Sequence, residues 1–302
     1  MMAKKHTSIH MTRSDMTFHV INYIFLTFSF LIILIPILNI VSNSISDPGE
    51  VALGRVGILP IRPTLAVYKY VITDRQLLTG YGNSLFYTLF GTILSVVLTI
   101  LAAYPLSKKD LYGKGVLTGI FFFTMLFGGG MIPTYLVVKN LGMLNTRWAM
   151  IFPGALSIWN LFMTRTFFQS SIPEGLCEAA NIDGADDFKI IFRIVLPISK
   201  PIIAVMVLFY AVGQWNAYFS GLMYLTSQNL LPLQVVLRNI LTSAQTLQEM
   251  QGTTTQDQSA QIQMVEAMKY AIIVFASVPV LVLYPFVQKY FTQGIMIGSI
   301  KG

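Results

Sequence analysis

Charge is scarce in this sequence. Only 11% of its 302 residues are Asp, Glu, Lys or Arg, against about 25% in an ordinary soluble domain. Its 20 basic and 13 acidic side chains are too few to cover a globule of this size, which excludes a soluble enzyme and a disordered tail. Cys177 is the single cysteine, so an intramolecular disulfide and a multi-cysteine metal site are excluded as well. The three histidines, His6, His10 and His19, all lie near the N-terminus. No Gly-x-x-x-x-Gly-Lys-Ser/Thr phosphate loop is present, so ATP is not bound through that motif. The long apolar runs carry no ionisable residue in their interiors. An ion-coupled secondary transporter or a membrane-embedded enzyme would need such residues at mid-membrane.

What is abundant is apolar surface: 54% of the residues are hydrophobic and the mean hydropathy is +0.65. A hydrocarbon layer about 30 Å thick takes roughly 20 apolar helical residues. Six runs meet that length, at 20–40, 85–106, 116–137, 148–167, 201–225 and 267–286. The first is too long for a secretory signal and no small-residue cleavage site follows it, so it reads as a retained span. With the N-terminus inside, 12 Lys and Arg fall in cytoplasmic pieces and 8 outside, the Lys108-Lys109 pair sitting in a very short loop. Six spans then leave both termini in the cytoplasm. The net charge of +7 belongs to these loops and calls for no nucleic acid. The expected organisation is a cytoplasmic segment 1–19, a six-span domain 20–286 and a cytoplasmic tail 287–302.

Three loops stand out. Residues 42–83, outside, mix Gly, Pro and aromatics, as expected of a segment ordered against the membrane surface. Residues 242–263, also outside, are rich in Gln, Thr and Ser, a composition expected of a loop that is mobile or ordered by a partner. The cytoplasmic loop 168–200 predicts two short helices. Ser171 and Glu174 have capping-box spacing, with Pro173 in the first turn. Gly184 suits the left-handed end of the first helix, and Asp186 caps the second. Phe188, Ile191, Phe192 and Val195 recur at helical spacing as an apolar face. Five carboxylates, Glu174, Glu178, Asp183, Asp186 and Asp187, lie within fourteen residues. Helices on a lipid surface favour Lys and Arg, so this acidity points to a basic protein partner.

Glu178-Ala179-Ala180, then Gly184, then Ile194-x-Leu196-Pro197, is similar to the EAA loop of bacterial ABC importer permeases. Asn83-Ser84, Ala103-Tyr104-x-Leu106-Ser107, Trp215-Asn216-x-x-Phe219 and the ending Gln288-Lys289-Tyr290-Phe291 resemble the carbohydrate-importer branch. The segment 127–146, from Phe127-Gly-Gly-Gly through Asn145-Thr146, resembles the LplC/YtcP group of the MalG-like permeases, which is associated with oligosaccharides from complex polysaccharides. The resemblance implies an all-α, polytopic membrane helix bundle with the type I (MetI-like) permease core. It assigns Glu178, Ala179, Ala180, Asp183, Gly184, Ile194, Leu196 and Pro197 to coupling with an ATPase. It also implies the partners: a second, different permease chain, two copies of an ABC ATPase that hold ATP and Mg, and an extracytoplasmic, lipoprotein-type solute-binding protein. The chain itself would hold no cofactor, catalyse no covalent step and lie among the lipids of a bacterial cytoplasmic membrane. An ABC permease for a non-sugar solute is the alternative.

Sugar sites use aromatic faces and amides. Gln214, Trp215, Asn216 and Phe219 in the fifth run, and Asn160 in the fourth, are the candidates for the solute pathway. Two readings stay open for them: contact with solute, or hydrogen bonding between packed helices. Gly128-Gly129-Gly130 and Pro133 interrupt the third run, and there cavity lining competes with close packing or a hinge.

Overall fold

The computed structural model describes residues 13–249 and 256–299, and among these there is no β-strand. The chain begins with α1 (Arg13–Ser44), passes through α2 (Pro48–Ala52) and α3 (Ala66–Thr73), and continues into the long α4 (Arg75–Ser107). Then come α5 (Lys114–Leu126), α6 (Met131–Asn140), α7 (Trp148–Ile151) and α8 (Ile158–Ser171). Two short helices, α9 (Glu174–Ile182) and α10 (Asp187–Ile190), lead through a π-helical turn, Ile191–Val195, and α11 (Leu196–Ile198) into α12 (Lys200–Trp215). A helix α13 (Tyr218–Tyr224), a 3-10 turn (Gln228–Leu230), α14 (Leu233–Glu249) and α15 (Gln256–Ser299) follow.

Two compact units divide the described chain. One holds α1, α2, most of α3 and α15 as far as Val274; the other runs from Val71 to Gln245 and resumes at Phe275. In the first unit, α1 is apolar on all sides, as a helix facing lipid must be. The segment after it is ordered, as its composition led one to expect, by buried Val51, Val56 and Val67 and by polar bonds. Asn39 donates to the carbonyls of Val56 and Gly57, Ser42 to that of Ile58, and the Tyr68 hydroxyl to Ser44 Oγ. Glu50 holds Arg55 and Arg62 at 3.5 and 3.7 Å.

The second unit is built around α4, against which α8 and α12 pack. Beside Leu77 and Tyr87, its buried face carries many small or polar residues: Gly80, Ser84, Gly91, Thr92, Ser95, Thr99 and Ala103. Such residues bring helix axes close without a hydrophobic driving force, the usual situation within lipid. A Cβ at Gly91 would come within 2.8 Å of the Gln214 amide, so a larger residue there would displace that side chain. Toward the far end of α4 the packing turns apolar, with Ile100, Tyr104, Leu161, Phe168, Ile190, Val195 and Met206 in one cluster.

Among the described residues, α1, α4 and α15 are the single helices long and apolar enough to cross a membrane. The expected run 116–137 is broken into α5 and α6, bent by 112°. The break lies at Phe127 to Gly130, where Gly130 takes φ +82°, a conformation that favours glycine. The expected run 148–167 is broken at Pro153-Gly154, where Gly154 takes φ +78° and Ser157 starts α8 as its N-cap. At fourteen residues α8 is about 21 Å long, short of a full crossing. The run 201–225 ends early, because Asn216 closes α12 and α13 starts anew at Tyr218. In each case turn chemistry overrides an apolar run that periodicity alone reads as continuous. The reverse holds at 242–263: residues up to Glu249 belong to α14 and those from Gln256 to α15, so much of this stretch is helix and not loop, and 250–255 lie outside the described residues. Gln, Glu and Ala are competent helix formers, and α14 starts from Leu233, Val235 and Val236, all buried.

Two glycines should respond in opposite ways to alanine. At Gly221 a Cβ would meet Pro232 Cγ at 2.6 Å and Val235 Cγ2 at 2.9 Å, whereas Gly82 faces open space in α4. Gly221→Ala should cost about 1–3 kcal/mol through overpacking, and Gly82→Ala should gain about 0.5–1 kcal/mol in helix propensity. Thermal unfolding of the purified variants in detergent measures both.

Candidate functional site: an exposed helix pair at the end of α4

The α9–α10 pair departs from its sequence pattern at the start. Ser171 is the last residue of α8, not an N-cap; Pro173 occupies that position and makes no side-chain cap bond. Proline disfavours a helical Ile172, so the chain leaves α8 there and starts α9 one step later. Glu174 lies in the first turn of α9, where the helix dipole favours a carboxylate, and pairs with Lys109 at 2.9 Å.

The other end behaves as the residues predict. Gly184 has φ +75°; its N–H donates to Asn181 O at 3.0 Å, and Ala185 N–H donates to Ala180 O at 2.9 Å. These two bonds form a Schellman motif that satisfies the last carbonyls of α9. Asp186 then caps α10, accepting from Lys189 N–H at 3.1 Å.

The apolar face matches the expected one at Ile191 and Val195 and departs from it at Phe188 and Phe192. Ile190, Ile191 and Val195 are buried, while Phe188 and Phe192 are 62% and 65% exposed. Phe188 precedes the π-helical turn, so its exposure follows from how α10 seats on the core through Ile190, a tertiary contact that a 3.6 period does not encode.

The carboxylates divide into three roles. Glu174 and Asp187 are paired with Lys109 and Lys108, and Asp186 serves as a cap. Glu178 and Asp183 are exposed and form no ion pair among the described residues. Ala179 and Gly184 are exposed beside them; Ala180, Ile194 and Leu196 are partly buried against the core; Pro197 is exposed. Between α9 and the end of α4 lies a cavity of about 400 Å³ lined by Tyr104, Lys108, Phe168, Cys177, Glu178 and Asn181.

Sequence reasoning missed the base on which this pair sits. Lys108 Nζ donates to Asp187 and stands 4.8 Å from the centre of the Tyr104 ring, while the Tyr104 hydroxyl donates to the same carboxylate at 3.1 Å. The hydrogen bond from Lys108 holds the Asp187 carboxyl below the usual carboxylate range. Partial burial pulls the Lys108 ammonium down, but its bonds to Asp187 and Tyr104 outweigh this and hold it above its ordinary value. Burial pushes the Cys177 thiol up, which leaves it a poor nucleophile. Arg165 Nε donates to Leu106 O at 3.0 Å, Gln169 to Ser107 O at 3.3 Å, and Lys114 to Lys108 O. The available signal was Ala103-Tyr104-x-Leu106-Ser107 followed by two lysines, but it carried no information about which carboxylates they meet.

The solute candidates do not form one group. Trp215 is buried; its indole N–H donates to Ala276 O at 3.1 Å and its ring packs on Tyr81 at 5.5 Å, so in this conformation it has no free donor. Asn160 is buried in α8. Gln214 is half-buried beside Gly91. Asn216 and Phe219 are exposed where α12 gives way to α13, and the Asn216 amide donates back to Val212 O.

Bent and broken apolar helices packed on α4, with a short acidic helix pair at its end, make this a membrane helix bundle. Residues 2–297 match the family described as binding-protein-dependent transport system inner membrane component, and the chain belongs to it. It is similar to Protein LplC of Bacillus subtilis (strain 168), 42% identical over 301 residues with all of both chains covered. It is also similar to the polygalacturonan/rhamnogalacturonan transport system permease protein YtcP of that organism, 41% identical over 285 residues, 94% of this chain and 98% of that one. A solved chain from a bacterial ABC transporter involved in the import of the acidic polysaccharide alginate superposes with a TM-score of 0.84 at 34% identity, covering 94% of this chain and 100% of that one. The protein is thus the permease subunit of an ABC importer of the bacterial cytoplasmic membrane.

Gly184 gives the direct test of local geometry at the site. Gly184→Val forces a β-branched residue to positive φ and should cost more than the about 1–2 kcal/mol typical of a left-handed L-residue, whereas Gly184→Asn should be milder. Limited proteolysis at the α9–α10 junction should accelerate in the valine variant and barely change in the asparagine variant.

Proposed function

We propose that this chain is one of two different six-span permease subunits, with both termini cytoplasmic, that together form the pathway of an oligosaccharide importer. Two copies of an ABC ATPase bind ATP with Mg, and a solute-binding protein outside the membrane delivers the sugar. The names of the relatives support a sugar: YtcP is named for polygalacturonan and rhamnogalacturonan, and the superposed structure belongs to an alginate importer. Those polymers carry uronate carboxylates, so uronate oligosaccharides are the first class to test. Asn216 and Phe219, with Gln214 two residues before Asn216, are the residues proposed to meet solute.

The observation that carries this reading is the α9 helix, capped, projecting, and bearing a Glu178 without a partner among the described residues. Its neighbour Ala179 is small and exposed, which allows a second protein to approach closely. ATP binding drives transport only if the nucleotide-bound ATPase favours one permease conformation over the other, and α9 is the proposed carrier of that preference. Uptake of a labelled galacturonate oligosaccharide into cells should persist when ionophores collapse the ion gradients but ATP is maintained. Loss of uptake under ionophore with ATP intact would favour ion coupling.

Glu178 makes the ATPase contact testable by itself. An exposed ion pair is worth about 0–1 kcal/mol, but stranding a charge buried on docking costs roughly 3–5 kcal/mol. Glu178→Lys should leave the permease inserted yet abolish co-purification of the ATPase, and Glu178→Ala should weaken it less. Full ATPase recovery with Glu178→Lys would remove this residue from the interface.

A further inference from the structure

Besides its apolar packing through Ala180 and Ile190, the α9–α10 pair is gripped by ion pairs at two points, and both grips belong to the same short segment. Lys109 takes Glu174 in the first turn of α9, and Lys108 with Tyr104 takes Asp187 in the first turn of α10. One attachment lets a rigid body pivot; two attachments thirteen residues apart fix its orientation. The Glu174 pair is exposed on both sides, and Lys108 is the more buried lysine, with 27% of its side chain exposed against 81% for Lys109. Exposed pairs of this kind add little to stability, so their use is in geometry.

The gripping segment is itself immobilised. A helix ends with carbonyls that lack intrahelical partners. At the end of α4 they are taken by Arg165 and Gln169 of α8, and Lys114 of α5 takes the carbonyl of Lys108. Three helices thus converge on Leu106 to Lys108, while α4 continues as one unbroken helix of 33 residues, about 50 Å, back to Arg75. The other route from the pair into the bundle is compliant by comparison. It runs through a π-helical turn and an 86° bend before α12. π-turns and bends are where a helix yields.

We infer that Lys108 and Lys109 are positioning residues that lock the α9–α10 pair to α4, so that displacement of the pair by the ATPase is delivered along α4 to its opposite end. This rests on the reading of α9 as the ATPase-docking helix. Motion applied to α9 follows the stiff path, and the bend before α12 absorbs the difference. Neither lysine is needed for the ATPase to bind.

The test uses the assembled importer in membranes, with Cys177→Ser as background and Gly82→Cys as a reporter near the outer end of α4, where a side chain meets open space. The readout is the maleimide labelling rate at residue 82 with and without ATP and vanadate. With the clamp intact the rate should change at least threefold. Lys108→Glu should bring the ratio close to one while the ATPase still co-purifies, and Lys108→Glu with Asp187→Lys should restore most of the change. Lys109→Glu and its swap with Glu174→Lys repeat the test at the more exposed pair, should the first variant fail to insert. An unchanged ratio in the charge-reversed variants, no recovery in the swaps, or no nucleotide-dependent labelling in the intact importer would overturn the inference. Absence of the ATPase from the unmutated complex would instead overturn the docking reading.

Discussion

Lipid offers no hydrogen bonds, so a peptide group freed where a helix breaks must find its partner inside the protein. Much of this structure depends on how that demand is met. The 3-10 turn and the start of α14 are held by three residues of α4: Asn83 donates to the carbonyls of Asn229 and Leu231, the Tyr87 hydroxyl to that of Leu230, and Ser84 accepts from Leu233 N–H. Asn145 accepts the N–H groups of Thr226 and Ser227. The Tyr210 hydroxyl accepts from Ser157 N–H at the head of α8 and donates to Thr99 of α4. A few polar side chains thus permit the broken helices that a permease requires.

Those partners make α4 the shared frame of the second unit. Its polar, small-residue half serves the breaks and admits α12 closely; its apolar half seats α8, α10 and the π-helical turn. Just past its last turn the chemistry changes to charge, and the C-cap Lys108 and the following Lys109 meet carboxylates of the helix pair. Packing, backbone satisfaction and electrostatics are arranged in sequence along one helix. The part that projects is consequently tied to the part that is buried.

The acidity of the 174–187 segment shows how a composition argument needs geometry. Five carboxylates looked like one surface for a basic partner. Two of them are neutralised within the chain and one caps a helix, which leaves Glu178 and Asp183 exposed and without an ion pair among the described residues. The inference of a protein partner is narrowed by this to a smaller patch. Trp215 is a parallel case, since a residue type suited to sugar stacking is spent on the carbonyl of Ala276 and the ring of Tyr81.

The amino-acid sequence alone determined whatever is local or compositional. Apolar runs without charge specify a membrane helix bundle because burial in lipid demands them. Gly184 and Asp186 specify the end of α9 and the start of α10 because a left-handed turn and a cap are properties of two or three neighbouring residues. The break of the third run was legible in Gly128-Gly129-Gly130, while that of the fourth, at Pro153-Gly154, was hidden by its apolar neighbours. The tertiary structure alone decided which Lys meets which Asp or Glu, which isoleucines of α10 and the π-helical turn are buried, and that Asn83, Ser84 and Tyr87 serve a turn nearly 150 residues away. Such pairings depend on how whole helices are placed in space, and no periodicity within a single helix encodes that placement.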